Sequence, residues 1–190
     1  IECPRDAMQG FSHFILTDVK ARYINLLLQV GFDTVDFGSF VSPKAIPQMC
    51  DTQEVLERLD LSGTTSKLLA IVANLRGVEE AVRYEEIMYL GFPFSVSETF
   101  QQRNTNSGRE ASLDLVEALL DKCDKHQKKA VIYLSMGFGN PYSEPWSYDI
   151  LAYWAGKLVD RGAEILSLSD TTGVSTHEKI EAVFPLLTQQ

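Results

Sequence analysis

Short apolar, β-branched runs alternate along this chain with segments of helical spacing, and that alternation constrains the fold more than any other feature. The runs are "TVDF" at 34–37, "LLAIVAN" at 68–74, "FPFSVS" at 92–97, "AVIYLS" at 130–135 and "EILSLSD" at 164–170. Each is short enough to be a buried strand. Between them lie "DVKARYINLLLQV" at 18–30, "ASLDLVEALLDKCDKHQ" at 111–127 and "SYDILAYWAGKLVDR" at 147–161. The helical period puts Val19, Tyr23, Leu26 and Leu27 on one face of the first segment, and Ile150, Leu151, Trp154 and Leu158 on one face of the last. Three joints share a form, "QVGFDTVDF", "YLGFPFSVS" and "DRGAEILSL", with Gly31, Gly91 and Gly162 at the expected helix exits, where a left-handed residue ends a helix. Helix, glycine and buried strand in repetition is the pattern of βα units feeding a parallel sheet.

Such units build either an open doubly wound sheet or a closed (β/α)₈ TIM barrel. The first apolar segment is followed by "PRDAMQG", and neither G-x-G-x-x-G nor a P-loop occurs, which argues against a nucleotide-binding sheet. A barrel carries its chemistry at the carboxyl ends of its strands. Polar residues collect at those ends here: Arg5 and Asp6, Asp36 and Ser39, Asn74, Ser95, Ser97 and Glu98, Ser135, Ser167 and Asp170. Counting the opening segment as a strand gives six in 190 residues, whereas a full barrel has eight and spans about 250 residues. The expectation is one barrel domain over 1–190, about six βα units, incomplete on its C-terminal side, in a chain that also lacks its own beginning.

The net charge of −9 works against nucleic-acid binding, which requires clustered Lys and Arg. No apolar run reaches the roughly 20 residues of a membrane span. Three cysteines, Cys3, Cys50 and Cys123, without a C-x-x-C pair point to a reducing compartment rather than a disulfide framework or a zinc ribbon. The three histidines, His13, His126 and His177, form no close pair. Cytoplasm is the default location, or the mitochondrial matrix for a eukaryotic source.

Within "PRD", Arg5 can face a substrate oxygen while Asp6, a hard oxygen donor, can hold Mg²⁺ or Mn²⁺. The plain alternative is a surface charge pair in a polar turn. Asp36 can orient Arg5 as a bidentate carboxylate, or merely solubilise a strand end. Asp170 can assist a base, or cap the next helix. "SVSETFQQRNTNSGREAS" reads as a long polar loop that offers Gln101, Gln102, Arg103, Asn104 and Asn106 to a ligand, or as a solvated loop capping the next helix. "FGNPYSEP" at 138–145 reads as a turn, since Gly139 and two prolines preclude regular structure.

"PRDAMQ", "DFGSFVSPKAIPQMCDTQEVL", "ANLRG", "SETFQQRNTNS", "FGNPY" and "SLSDTTGV", in this order, resemble the 3-hydroxy-3-methylglutaryl-CoA lyase family over nearly the whole chain. That family belongs to a metal-dependent barrel superfamily that also holds isopropylmalate and homocitrate synthases. The resemblance implies retro-Claisen cleavage of 3-hydroxy-3-methylglutaryl-CoA to acetyl-CoA and acetoacetate, as in leucine degradation and ketone-body formation. It implies a divalent cation, Mg²⁺ or Mn²⁺, an acyl-CoA substrate and a homodimer. Arg5 matches the arginine that steadies the enolate oxygen, Asp6 the metal-binding aspartate, and Asp170 an acid near the proton-transfer machinery. Gln9, Asn104 and Thr171 match substrate-lining positions. Two departures stand out: Asp36 replaces a glutamate, one methylene longer, and Asn140 stands where many lyases have cysteine. The family's His-x-His pair, asparagine ligand and loop cysteine are expected downstream of Gln190, so these residues alone are expected to be inactive. A condensing acyltransferase of the synthase type and a non-catalytic acyl-CoA-binding barrel are the alternatives.

Overall fold

A computed structural model of the chain describes residues 1–188. Five parallel strands, β1 (Thr34–Ser39), β2 (Lys67–Ile71), β3 (Ile87–Ser95), β4 (Lys129–Ser135) and β5 (Leu166–Leu168), come in the order β1-β2-β3-β4-β5. Helices alternate with them: α1 (Pro4–Gln9), α2 (Thr17–Val30), α3 (Thr52–Leu56), α4 (Leu75–Ala81), α5 (Glu98–Thr105), α6 (Arg109–Lys125), α7 (Tyr148–Asp160) and α8 (His177–Leu187). This is the βα alternation of part of a TIM barrel, as the sequence led us to expect.

The chain divides into two units, the first made of Ile1–Gly91 with His126–Lys129, the second of Phe92–Lys125 with the residues from Ala130 onward. In the first, β1 is buried at every position, and α1, α2 and α3 pack against it. Its interior includes Ile24, Leu28, Val35, Phe37, Leu68, Leu69 and Ile87, each contributing roughly 1.5–3 kcal/mol by leaving water. In the second unit α6 packs on α5 and α7, and α7 on α8. Leu113, Val116, Leu119, Ile132, Leu134, Leu151, Trp154 and Leu158 form its interior.

Several expectations need correction. The sixth strand, at the opening segment, is reduced to a single bridge of Glu2 to Val35. Pro4 stands at the start of α1, where its missing N–H costs nothing and its fixed φ suits a helix, so Arg5 and Asp6 lie in a first helical turn rather than at a strand end. Gly31 and Gly162 do close helices, with φ of 85° and 96°, but Gly91 lies inside β3, paired in register with Ile71. The stretch expected as a long loop is mostly helix, with 106–108 left between α5 and α6: Ser97 caps α5 by accepting a hydrogen bond from Phe100 N–H, and Asn106 ends it in the left-handed conformation. On α2 the buried positions are Lys20, Ala21, Ile24 and Leu28, while Val19, Tyr23 and Leu26 are exposed. The expected face of α7 holds, with Leu151, Trp154 and Leu158 buried.

Candidate active site

Asp36 is fully buried, in the middle of β1, and a carboxylate there is tenable only with a partner. Arg5 supplies it from α1. Its Nε donates to both carboxylate oxygens, at 3.2 and 3.1 Å, and its Nη2 donates to Oδ2 at 2.6 Å. The fork thus meets the carboxylate side-on, which fixes the guanidinium plane. Burial pushes the Asp36 carboxyl up from its ordinary value, and the charge and hydrogen bonds of Arg5 pull it back. The shorter side chain at this position therefore reaches its arginine.

The opposite edge of the same guanidinium faces outward. Arg5 Nη1 donates to Asp6 Oδ1 at 3.1 Å and to Gln9 Oε1 at 2.9 Å, and Gln9 Nε2 donates to Asp6 Oδ1 at 2.8 Å. Gln9 stands one helical turn beyond both Arg5 (i, i+4) and Asp6 (i, i+3), the spacings at which helix side chains meet, and so joins the three. The Asp6 side chain is 63% exposed. The result is a guanidinium whose Nη1 is held by a solvent-facing carboxylate and a neighbouring amide, either of which a substrate oxygen could replace as the acceptor.

Arg5, Asp6, Gln9 and Asp36 thus form one cluster in the first unit. Asn104, Asp170 and Thr171 belong to the second. Asp170 follows β5 and accepts hydrogen bonds from Val174 N–H and Ser175 N–H, both at 2.9 Å. It therefore closes a turn, and the helix cap falls instead to Thr176, which accepts from Lys179 N–H. Hydrogen bonds from Ser175, its side chain first, hold the Asp170 carboxyl below its ordinary value. Thr171 Oγ1 accepts from Met136 N–H at 2.8 Å, fixing the backbone just after β4. Asn104 is exposed on α5. Gln101, a candidate ligand contact, is instead buried, accepting from Ser95 N–H and donating to Thr105 and Ser112.

Two residues had no role assigned from the sequence. Cys3 precedes the cluster, and its thiol is pushed up by burial and then by the Asp36 charge, which keeps it protonated and a poor nucleophile. Its place directly before "PRD" was the available signal. Glu144, in the expected turn at 138–145, accepts at 2.9 Å from Thr99 N–H in the first turn of α5. Asn140 organises that turn: its Oδ1 accepts from Tyr142 N–H and Glu144 N–H, and its Nδ2 donates to the Glu144 carbonyl.

Among the described residues no group of three His, Cys, Asp or Glu side chains is placed to hold a metal. Asp6 offers one oxygen, where Mg²⁺ demands near-octahedral coordination. The donors present do not by themselves make a cation site. No described helix is long and apolar enough to cross a membrane.

Comparison with known proteins gives the chain its relatives. It is 34% identical over 176 residues to the mitochondrial hydroxymethylglutaryl-CoA lyase of Macaca fascicularis, covering 91% of this chain and 53% of that protein. It is 34% identical over 185 residues to the 3-hydroxy-3-isohexenylglutaryl-CoA/hydroxy-methylglutaryl-CoA lyase of Pseudomonas aeruginosa, covering 95% and 61%. The chain thus spans little more than half the length of these relatives. The crystal structure of the Bacillus subtilis HMG-CoA lyase superposes with a TM-score of 0.92 at 30% identity, over all of this chain and 63% of that one. An HMG-CoA lyase from Acinetobacter baumannii, solved in complex with coenzyme A and 3-methylmalate, gives 0.89 at 26% identity, over 96% and 59%. The HMGL-like family model matches residues 3–190, so the chain that carries the buried Arg5–Asp36 pair belongs to the HMGL-like family.

Proposed function

We propose that the protein cleaves 3-hydroxy-3-methylglutaryl-CoA to acetyl-CoA and acetoacetate. The observation that carries the reading is the Arg5 guanidinium, fixed from behind by buried Asp36 and bonded through Nη1 to exposed Asp6 and half-buried Gln9. In a retro-Claisen cleavage a base removes the tertiary hydroxyl proton, the carbon–carbon bond breaks, and its electron pair passes to the acetyl-CoA fragment as an enolate, which is then protonated. Arg5, oriented before the reaction begins, meets the charge that develops on the enolate oxygen. Preorganised donors of this kind supply about 2.7–4 kcal/mol of transition-state stabilisation each.

The same proposal gives Asp6 one ligand position toward Mg²⁺ or Mn²⁺, with further ligands contributed by residues other than those described. It gives Asp170 a place near the proton-transfer machinery, and Gln9, Asn104 and Thr171 places along the substrate. The coenzyme A bound by the Acinetobacter relative supports an acyl-CoA substrate. A single barrel domain over 1–190, a homodimer, and a cytoplasmic or mitochondrial matrix location complete the reading. A condensing direction has nothing in the site or in the names of the relatives to favour it.

The test is acetyl-CoA release from 3-hydroxy-3-methylglutaryl-CoA by the protein at its native length, with and without Mg²⁺ or Mn²⁺. Metal-stimulated release is expected. A folded protein that binds the thioester and releases nothing would overturn the reading.

A further inference from the structure

We infer that Gln48, held by a buried Lys20–Asp51 pair, is a positioning residue for the Arg5–Asp6–Gln9 cluster. This rests on the proposed cleavage. α1 has six residues, far fewer than the ~12–15 at which a helix begins to hold itself in water. Where Asp6 and Gln9 stand is therefore decided by what anchors the ends of α1. At the front the anchor is Arg5 on Asp36. At the back, α1 packs on the 3₁₀ turn Pro47–Met49, and the buried Gln48 side chain grips the segment that leaves the helix. Its Nε2 donates to the carbonyls of His13 at 2.9 Å and Phe11 at 3.4 Å, and its Oε1 accepts from Ile15 N–H at 2.8 Å. One side chain satisfies three backbone groups of a loop.

Gln48 is fixed in turn by Lys20, which points inward from α2 and is 2% exposed. The Lys20 ammonium donates to the Gln48 carbonyl and to Asp51 Oδ1, the latter at 2.6 Å, and lies 4.2 Å from the centre of the Phe14 ring. Asp51 Oδ2 accepts from Thr17 Oγ1 at 2.8 Å. An apolar side chain at position 20 would serve the helix as well, because a buried ion pair is often no more stable than its hydrophobic replacement. What an apolar residue cannot do is hold the Gln48 carbonyl. The charged pair is explained by placement of that turn rather than by stability.

Two variants of the native-length protein separate placement from stability. Gln48→Met keeps the volume and removes the three loop bonds. The double variant Lys20→Met with Asp51→Asn removes both charges and leaves the Gln48 side chain. Both are expected to unfold within a few degrees of the parent. Their kcat for acetyl-CoA release is expected to fall by about 10- to 100-fold, the scale of an ångström misplacement, with KM nearly unchanged. Amide exchange at Ile15 is expected to quicken while β1 stays protected. Both variants retaining the parent kcat would overturn the inference, as would unchanged exchange at Ile15 in Gln48→Met. A variant too unstable to assay leaves the other to decide. A parent that releases no acetyl-CoA overturns the proposed reaction instead, and the exchange arm still reports whether Gln48 holds the segment.

Discussion

Arg5 and Asp36 depend on each other in a way that mutation can measure. Asp36→Ala takes the carboxylate from the buried edge of the guanidinium and leaves it only the exposed Asp6 as a charged partner among the contacts described above, and is expected to cost about 3 kcal/mol, read by urea unfolding. Asp36→Glu keeps the carboxylate but adds a methylene to a fully buried site. Overpacking of this kind costs about 1–3 kcal/mol, so a lower melting temperature is expected although the charge is kept. Arg5→Lys retains a cation and loses the fork, and acetyl-CoA release is expected to fall by about 10²–10³-fold. Asp170 carries a pH signature. Because hydrogen bonds lower its folded value, the turn it closes contributes fully above the ordinary carboxylate range and is lost as pH falls through the folded value. The Val174 and Ser175 amide shifts should titrate with a midpoint below about 3.9, the reference for aspartate, and the step should vanish in Asp170→Asn.

Among the elements, α2 shows most clearly how periodicity is overridden. The apolar positions expected to be buried, Val19, Tyr23 and Leu26, are exposed, while Ile24 and Leu28 are buried together with Lys20. Ile24→Ala is expected to cost about 2–5 kcal/mol by leaving a cavity. Leu26→Gln should stay within about 0.5 kcal/mol of the parent; thermal melts of the two variants check the assignment. β1 makes a different demand. A Cβ at Gly38 would come within 2.5 Å of the Thr52 side chain, whose hydroxyl bonds the carbonyls of Ser39 and Met49. That close approach ties the end of β1 to the turn that carries Gln48.

For the molecule as a whole, a net charge of −9 means that affinity for an anionic substrate has to be local. Arg5 is the cation at the candidate site, and it is flanked by Asp36 and Asp6. Duplex DNA is expected to show no binding by fluorescence anisotropy at physiological salt, since phosphate neutralisation needs a basic patch.

Much of this was legible in the chain. Alternating buried runs and helical segments are local patterns, so β1 to β5 and the long helices α2, α6 and α7 could be read from spacing, whereas the choice of a barrel needed the residues at the strand ends and the family resemblance. The resemblance around "PRD" and "SFVSPK-x-x-PQM" picked out Arg5, Asp6, Gln9 and Asp36, which the structure brings together. Other features depend on contacts distant in sequence. Which stripe of α2 is buried was decided by Asp51 and Gln48, thirty residues away, since only their carboxylate and carbonyl make a buried lysine tolerable. Gln48 and Glu144 acquire their roles from backbone groups 33 to 45 positions distant, which no local pattern encodes. Composition and periodicity determined what kinds of element this chain makes; only the tertiary structure decided which polar side chains hold them, because burying a polar group is tolerable solely where the fold brings it a partner.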